Sequence, residues 1–247
     1  ARVIAALGPP AVDLRTLSRT VRLAMADYPA TIIVPALRAR LDETAPGIDI
    51  VVQAWRGAAA AFDRLANGGV DLATSIFPVL DNRLRHEQLL EEHYRVVMRH
   101  DHPAARDFNL DRWLEHPHIV VSGEGRLRGS VDEALASHGR VRKVSIVVPT
   151  FLMVPALLAG SDLIAAIPSR CIPGGDTHAF AVFAPPITIP ALPVHLAWHA
   201  RVDEDPAIQH VIGLIRALLG ENGAITGSAV GDGDGGPASA VPITPSD

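Results

Sequence analysis

Between Arg19 and Thr74 the sequence alternates strand, helix, strand, helix, strand, and no other feature restricts the fold as much. Arg19-Thr-Val-Arg-Leu-Ala-Met-Ala26 is an apolar-rich run of strand length, after which Val34, Leu37 and Leu41 recur at helical spacing. Ile48 to Gln53 alternates as a second strand, and Ala58, Ala61, Phe62 and Leu65 form the stripe of a second helix, which Asn67-Gly68-Gly69 stops. Val70 to Thr74 is a third strand. Strands joined through helices run parallel, because only a crossover of that length returns the chain to the same sheet. In such sheets ligands sit beyond the carboxyl ends of the strands. Asp27 to Thr31, Trp55 to Gly57 and Ser75 to Pro78 are therefore expected on the ligand side.

The pattern repeats further on. An irregular stretch to Arg85 precedes a strand at Tyr94 to Met98, a short helix at Leu110 to Leu114 and a strand at Pro117 to Val121. Ser130-Val-Asp-Glu133 has capping-box spacing and opens a helix to about Ser137. Strands at Val144 to Val148 and Asp162 to Ile167 flank a helix that starts near Thr150, which completes a second β/α lobe. Leu192 to Trp198 is a late strand, and Asp205-Pro206 opens a helix whose Ile208, Ile212, Ile215 and Leu219 share one face. From 221 onward Gly, Ser, Ala, Pro and Asp dominate, and a disordered tail is expected over 221–247. Ala1 to Leu7 reads as the last turns of a helix that Gly8-Pro9-Pro10 ends, as though the chain were part of something longer.

Composition narrows the function classes. A net charge of -5 over 247 residues argues against this chain gripping a phosphate backbone itself, since that requires concentrated Lys and Arg. No apolar run is long enough to cross a bilayer, so no membrane partner is expected. The single cysteine, Cys171, cannot form an internal disulfide and fits a cytoplasmic location.

Laid end to end, these segments resemble the effector-binding domain of the LysR-type transcriptional regulators, in the NodD-like and aromatic-catabolism branch. The matching phrases include Arg22-Leu-Ala-Met-Ala-Asp27, Leu65-Ala-Asn-Gly-Gly-Val-Asp-Leu-Ala73, Glu91-Glu-His-Tyr-Arg-Val-Val-Met-Arg-His-Asp-His-Pro103, His116-Pro-His-Ile-Val-Val-Ser-Gly-Glu-Gly125, Val147-Val-Pro-Thr-Phe151, Ser161-Asp-Leu-Ile-Ala-Ala-Ile-Pro168 and Trp198-His-Ala-Arg-Val-Asp-Glu-Asp-Pro206. Their order holds from about Leu17 to Leu219. The resemblance implies an α/β fold of two Rossmann-like lobes joined by two crossover strands, of the type 2 periplasmic-binding-protein-like kind, with an effector in the cleft. It implies lobe I at 18–98 plus 192–220, lobe II at 99–191, and 1–17 as the end of a linker helix and connector. It also implies a homodimer or homotetramer, and DNA contact only through an N-terminal helix-turn-helix that this sequence does not contain. The stretch from 168 to 191 does not align to the family pattern and carries no assigned role.

Candidate ligand contacts follow from helix starts and glycine-rich turns. In Ser122 to Ser130, Ser122 and Gly123 let backbone approach a ligand, and Arg126 and Arg128 supply forked donors for a carboxylate; a loop with its arginines in water is the competing reading. The same segment is not a dinucleotide motif, because Arg128 stands where G-x-G-x-x-G needs glycine. Thr31 and Thr150 sit at helix starts in the two lobes, where a hydroxyl serves either a ligand or the helix cap. Tyr28 and Phe151 are expected to wall a pocket for a flat ring, ahead of Trp55 and Phe77. His199, after the strand that returns to lobe I, is placed near the hinge as a donor to an anion.

Eleven histidines raise the question of metal, with His100-x-His102 and His116-x-His118 as close pairs, but no set of three or four ligands is recognisable. Neither a metal nor a cofactor is expected. The usual enzyme signatures are absent from the spacing, and an enzyme on this fold would have Ser122 and His199 as conceivable catalytic groups. The expected function is sensing of a small aromatic or carboxylate-bearing metabolite, with a transporter solute-binding protein as the main alternative and an enzyme of the same fold as the second.

Overall fold

The computed structural model describes residues 12–77, 82–172 and 179–225, without the side chains of 220–225. The expected helix end at Ala1 to Leu7, the Pro173 to Asp176 segment and all of the tail beyond Ile225 lie outside those residues. The first sheet is built from β1 (Arg19–Met25), β2 (Ile48–Ala54), β3 (Leu72–Ser75), β4 (Leu84–Glu92) and β10 (Leu192–His199), in the order β2-β1-β3-β10-β4. The second holds β5 (Tyr94–Arg99), β6 (His118–Val121), β7 (Val144–Val148), β8 (Ile164–Pro168) and β9 (Phe180–Phe183), in the order β7-β6-β8-β5-β9.

In each sheet four strands run in one direction and one runs against them, β10 in the first and β5 in the second. In the first, β1 is parallel to β2 and β3, while β10 is antiparallel to β3 and β4. In the second, β6 is parallel to β7 and β8, while β5 is antiparallel to β8 and β9. The chain crosses between lobes from β4 to β5 through His93 and from β9 to β10. The sequence boundary at 98 falls after β5, which pairs only within the second sheet. β4 and β9 had no counterpart in the sequence reading. β4 carries Arg85, His86, Glu87 and Gln88 on a half-exposed edge, so its apolar alternation is too thin to announce a strand.

Helices cover both faces of each sheet. On the first, α1 (Asp27–Thr44) and α6 (Pro206–Ile225) pack Leu37, Leu41, Ile212 and Ile215 against Val21, Leu23 and Met25 of β1. Across that sheet α2 (Ala58–Asn67) packs Ala61 and Leu65 against Ala24, Ala73 and Ala197, and Phe77 joins this core. On the second sheet α5 (Val154–Ala159) contributes Val154 and Leu158 beside Ile119 and Ala165, while α3 (Leu110–Glu115) and α4 (Ser130–Ser137) bring Trp113, Val131 and Leu135 to the opposite face. A sheet covered on both sides needs apolar residues at most positions of its central strands, which is why β6 and β8 read as apolar runs while β2, at a sheet edge, alternates.

Two local expectations shift in register. α6 continues to Ile225, past the point where the tail was expected to begin. The cap of α4 lies one residue earlier than Ser130 to Glu133: the Gly129 N–H donates to Asp132 Oδ2 at 2.9 Å, and Gly129 has no side chain to return the bond. Arg142 also pairs with Asp132, at 2.9 and 2.7 Å, and thereby selects Asp132 over Glu133 as the cap.

Candidate ligand-binding site

The carboxyl ends of the parallel strands of both lobes converge on a cavity of about 410 Å³. Pockets for small ligands fall in this range. Lobe I supplies Ala26 and Tyr28 after β1, Trp55 after β2, and Thr74, Ser75 and Ile76 at the end of β3. Lobe II supplies Phe151 after β7, and Ser169, Arg170 and Ile172 after β8. The wall is mostly carbon, and its aromatic faces are Tyr28, Trp55 and Phe151. Trp55 is fixed edgewise, since its indole N–H donates to Ser75 Oγ at 3.0 Å.

Several bonds tie the lobes together around this space. The Tyr28 hydroxyl donates to the Ile172 carbonyl at 2.9 Å. Asp27, the first residue of α1, accepts from the N–H groups of Phe151 and Leu152 at 3.0 and 2.8 Å. A carboxylate on exposed turn amides is the arrangement of a helix cap, here supplied from the other lobe. At the crossover, Glu92 closes β4 and accepts from Ser169 Oγ at 2.7 Å and from Arg170 Nη1 at 2.8 Å. On the far side Gly123 lies so close to lobe I that a Cβ there would stand 2.9 Å from the Trp55 carbonyl oxygen.

Of the residues singled out in the sequence, Tyr28, Phe151 and the lower-ranked Trp55 line the cavity, whereas Thr31, Ser122, Gly123, Arg126, Thr150 and His199 do not. Thr31 falls in the second turn of α1, because the helix begins at Asp27, and its hydroxyl donates back to the Tyr28 carbonyl at 2.7 Å. Thr150 precedes the turn Phe151–Met153 without capping it; Asp27 takes that role. Ser122 Oγ accepts from the Arg126 N–H at 2.9 Å, which closes the loop on itself. Gly123 serves the lobe contact, and Arg126 pairs with Glu124 at 2.6 Å on the surface.

His199 lies at the wrong end of its strand for the role expected. β10 runs antiparallel to β3, so His195 stands opposite Ser75 near the cavity while Trp198 stands opposite Leu72, at the amino end. His199 Nδ1 there accepts from the Arg201 N–H at 3.0 Å and caps a turn. Ser122 and His199 thus belong to different lobes and opposite strand ends, and they do not form a nucleophile and base. Phe77 is core.

Sequence reasoning missed Glu92, Ser169 and Arg170. Placement was the available signal: Arg170 follows the predicted strand Asp162 to Ile167 by three residues, where ligand contacts concentrate. Cys171 also lines the cavity, and its burial, reinforced by the charges of Glu92 and Asp27, pushes the thiol pKa upward and keeps it protonated. The paired histidines have structural uses. His102 Nδ1 accepts from the Ala104 N–H at 3.0 Å, and His118 Nε2 lies 2.9 Å from the Trp113 carbonyl. Among the described residues no three His, Cys, Asp or Glu side chains are placed to hold a metal ion.

Known proteins share this architecture. The family model of the LysR substrate binding domain matches residues 15–220. The HTH-type transcriptional activator NahR of Pseudomonas putida is 30% identical over 201 residues, which are 79% of this chain and 65% of NahR. The HTH-type transcriptional activator NagR of Ralstonia sp is 30% identical over 191 residues, 76% of this chain and 63% of NagR. The chain therefore spans just under two thirds of the length of these relatives. The regulatory domain of MexT, a transcriptional activator in Pseudomonas aeruginosa, superposes with a TM-score of 0.71 at 29% identity, covering 82% of this chain and 99% of that domain.

Proposed function

The chain belongs to the LysR family of substrate-binding domains, and from that premise we propose that it is the effector-sensing part of a transcriptional regulator. The effector is a small, largely apolar metabolite held between Tyr28, Trp55 and Phe151. The observation that carries this reading is the cavity of about 410 Å³ to which both lobes contribute wall. A ligand touching both lobes favours the closed arrangement by its differential affinity for it, and the bonds from Tyr28 to Ile172 and from Asp27 to Phe151 and Leu152 exist only when the lobes meet.

In a parent regulator that bias would reposition DNA-binding units. A chain of net charge -5 leaves DNA contact to a separate helix-turn-helix, as the names of the HTH-type relatives suggest. Assembly as a homodimer or homotetramer in the cytoplasm goes with this role. A solute-binding protein would share the two-lobed shape, but the relatives are transcriptional regulators, which also disfavours an enzyme.

Thermal unfolding against a broad panel of aromatic and aliphatic metabolites tests the proposal. At least one compound is expected to raise the midpoint in a concentration-dependent way. A folded protein that no panel member stabilises contradicts it.

A further inference from the structure

The cavity wall is mostly carbon, and its charged groups stand at its crossover end, where Glu92 and Arg170 form an ion pair. Glu92 is 5% exposed and both of its oxygens are engaged: Oε1 with Arg170 Nη1 at 2.8 Å, and Oε2 with Ser169 Oγ at 2.7 Å and the Arg170 N–H at 3.3 Å. Arg170 differs. A guanidinium carries five N–H donors in a planar fork. Here only Nη1 is spent on an acceptor among the described residues, and the side chain stays 27% exposed. The anion of the pair is saturated while the cation has donors left, so the site can receive a negative group and has little to offer a positive one.

We propose that Arg170, oriented by Glu92, is the carboxylate-recognising residue of the cavity, so that the effector is a small apolar acid rather than a neutral or cationic compound. This rests on the cavity being the effector site. The acid's ring or chain lies against Tyr28, Trp55 and Phe151, and its carboxylate takes the unspent edge of the guanidinium. Glu92 fixes the plane of that fork in advance, which lowers the ordering cost of forming two parallel N–H···O bonds.

The experiment compares matched pairs, benzoate with benzamide and larger apolar acids with their amides, by calorimetry and thermal shift on the full chain. The wild type is expected to favour acids by about tenfold or more, the scale of a charge-assisted hydrogen bond. Arg170→Gln should bring the ratio close to one while amide binding persists, and Arg170→Lys should retain a weaker preference. Glu92→Gln should raise the preference, because the competing negative charge is gone; a purely structural pair predicts no change in either direction. Equal binding of acid and amide by the wild type, or a preference that survives Arg170→Gln, overturns the inference while leaving the effector site standing. Should Arg170→Gln fail to fold, an unchanged ratio in Glu92→Gln overturns it equally. If no member of either set binds, the effector site itself falls, and this inference with it.

Discussion

Two arginine-bearing segments follow neighbouring parallel strands of the second sheet, and the structure treats them oppositely. The segment after β6 carries Arg126, whose side chain is 71% exposed and paired with Glu124 two residues away. The segment after β8 carries Arg170, 27% exposed and paired with Glu92, which is 78 residues distant and belongs to the other sheet. A pair within one exposed loop forms whether or not the lobes meet, and water screens it. A half-buried pair between β4 and the end of β8 joins the two lobes at their crossover. Burial and the origin of the partner, more than the presence of arginine in a turn, separate a surface contact from one that senses lobe geometry.

The largest expected effect sets these two side by side. Arg170→Ala leaves Glu92 buried without its cation and should cost roughly 2–4 kcal/mol in urea unfolding, whereas Arg126→Ala should change stability by less than about 0.5 kcal/mol. Equal losses would erase the contrast.

Acid gives a somewhat smaller handle on the strand beneath the exposed loop. His118 opens β6 and is fully buried, and that burial, with the nearby Arg142 charge, lowers its pKa to about 4. The unfolded chain takes up a proton near the ordinary value of about 6.5, so the folded state loses stability as pH falls from there towards 4. Across that window roughly 2–3 kcal/mol should disappear, and His118→Gln should flatten the curve. A wild-type profile level between those pH values would contradict the burial assigned to His118.

At the loop itself, Gly123→Ala puts a Cβ 2.9 Å from the Trp55 carbonyl and 3.0 Å from Arg56 Cα, both backbone. The lobes must separate locally, with an expected cost of about 1–3 kcal/mol and weaker ligand binding. Small-angle scattering should report a larger radius of gyration. The loop would thus matter through its glycine and not through its arginine, and an unaffected Gly123→Ala would remove that distinction. Asp27→Asn should have the smallest effect of the closing contacts, about 1 kcal/mol, through a weakened cap on Phe151 and Leu152. Thermal melts of the free and ligand-saturated protein would locate that loss in the closed state.

The parallel strands and their helices were readable in the sequence because central strands such as β6 and β8 are apolar runs, β2 alternates at strand period, and the helices between them carry apolar stripes. Tyr28 and Phe151 were readable for a related reason: each follows such a strand, where ligand pockets form. Arg126 misled because a glycine-rich turn with arginines has the same local appearance whether it faces a ligand or water. Glu92 was hidden twice, at the end of an edge strand too polar to recognise and across a contact that only the assembled lobes create. His199 went astray because the sequence marks that a strand is present and leaves its direction in the sheet unmarked. With β10 antiparallel, the end of the strand and the cavity lie at opposite edges.

A crystal structure of the chain with the tightest-binding acid of the panel is the most direct test. Density for the ligand between Tyr28 and Phe151, its carboxylate on Arg170 and both lobes in contact with it, is the result expected. A ligand seated on the Ser122 to Arg126 loop, or touching one lobe alone with the crossover cavity empty, would contradict the account.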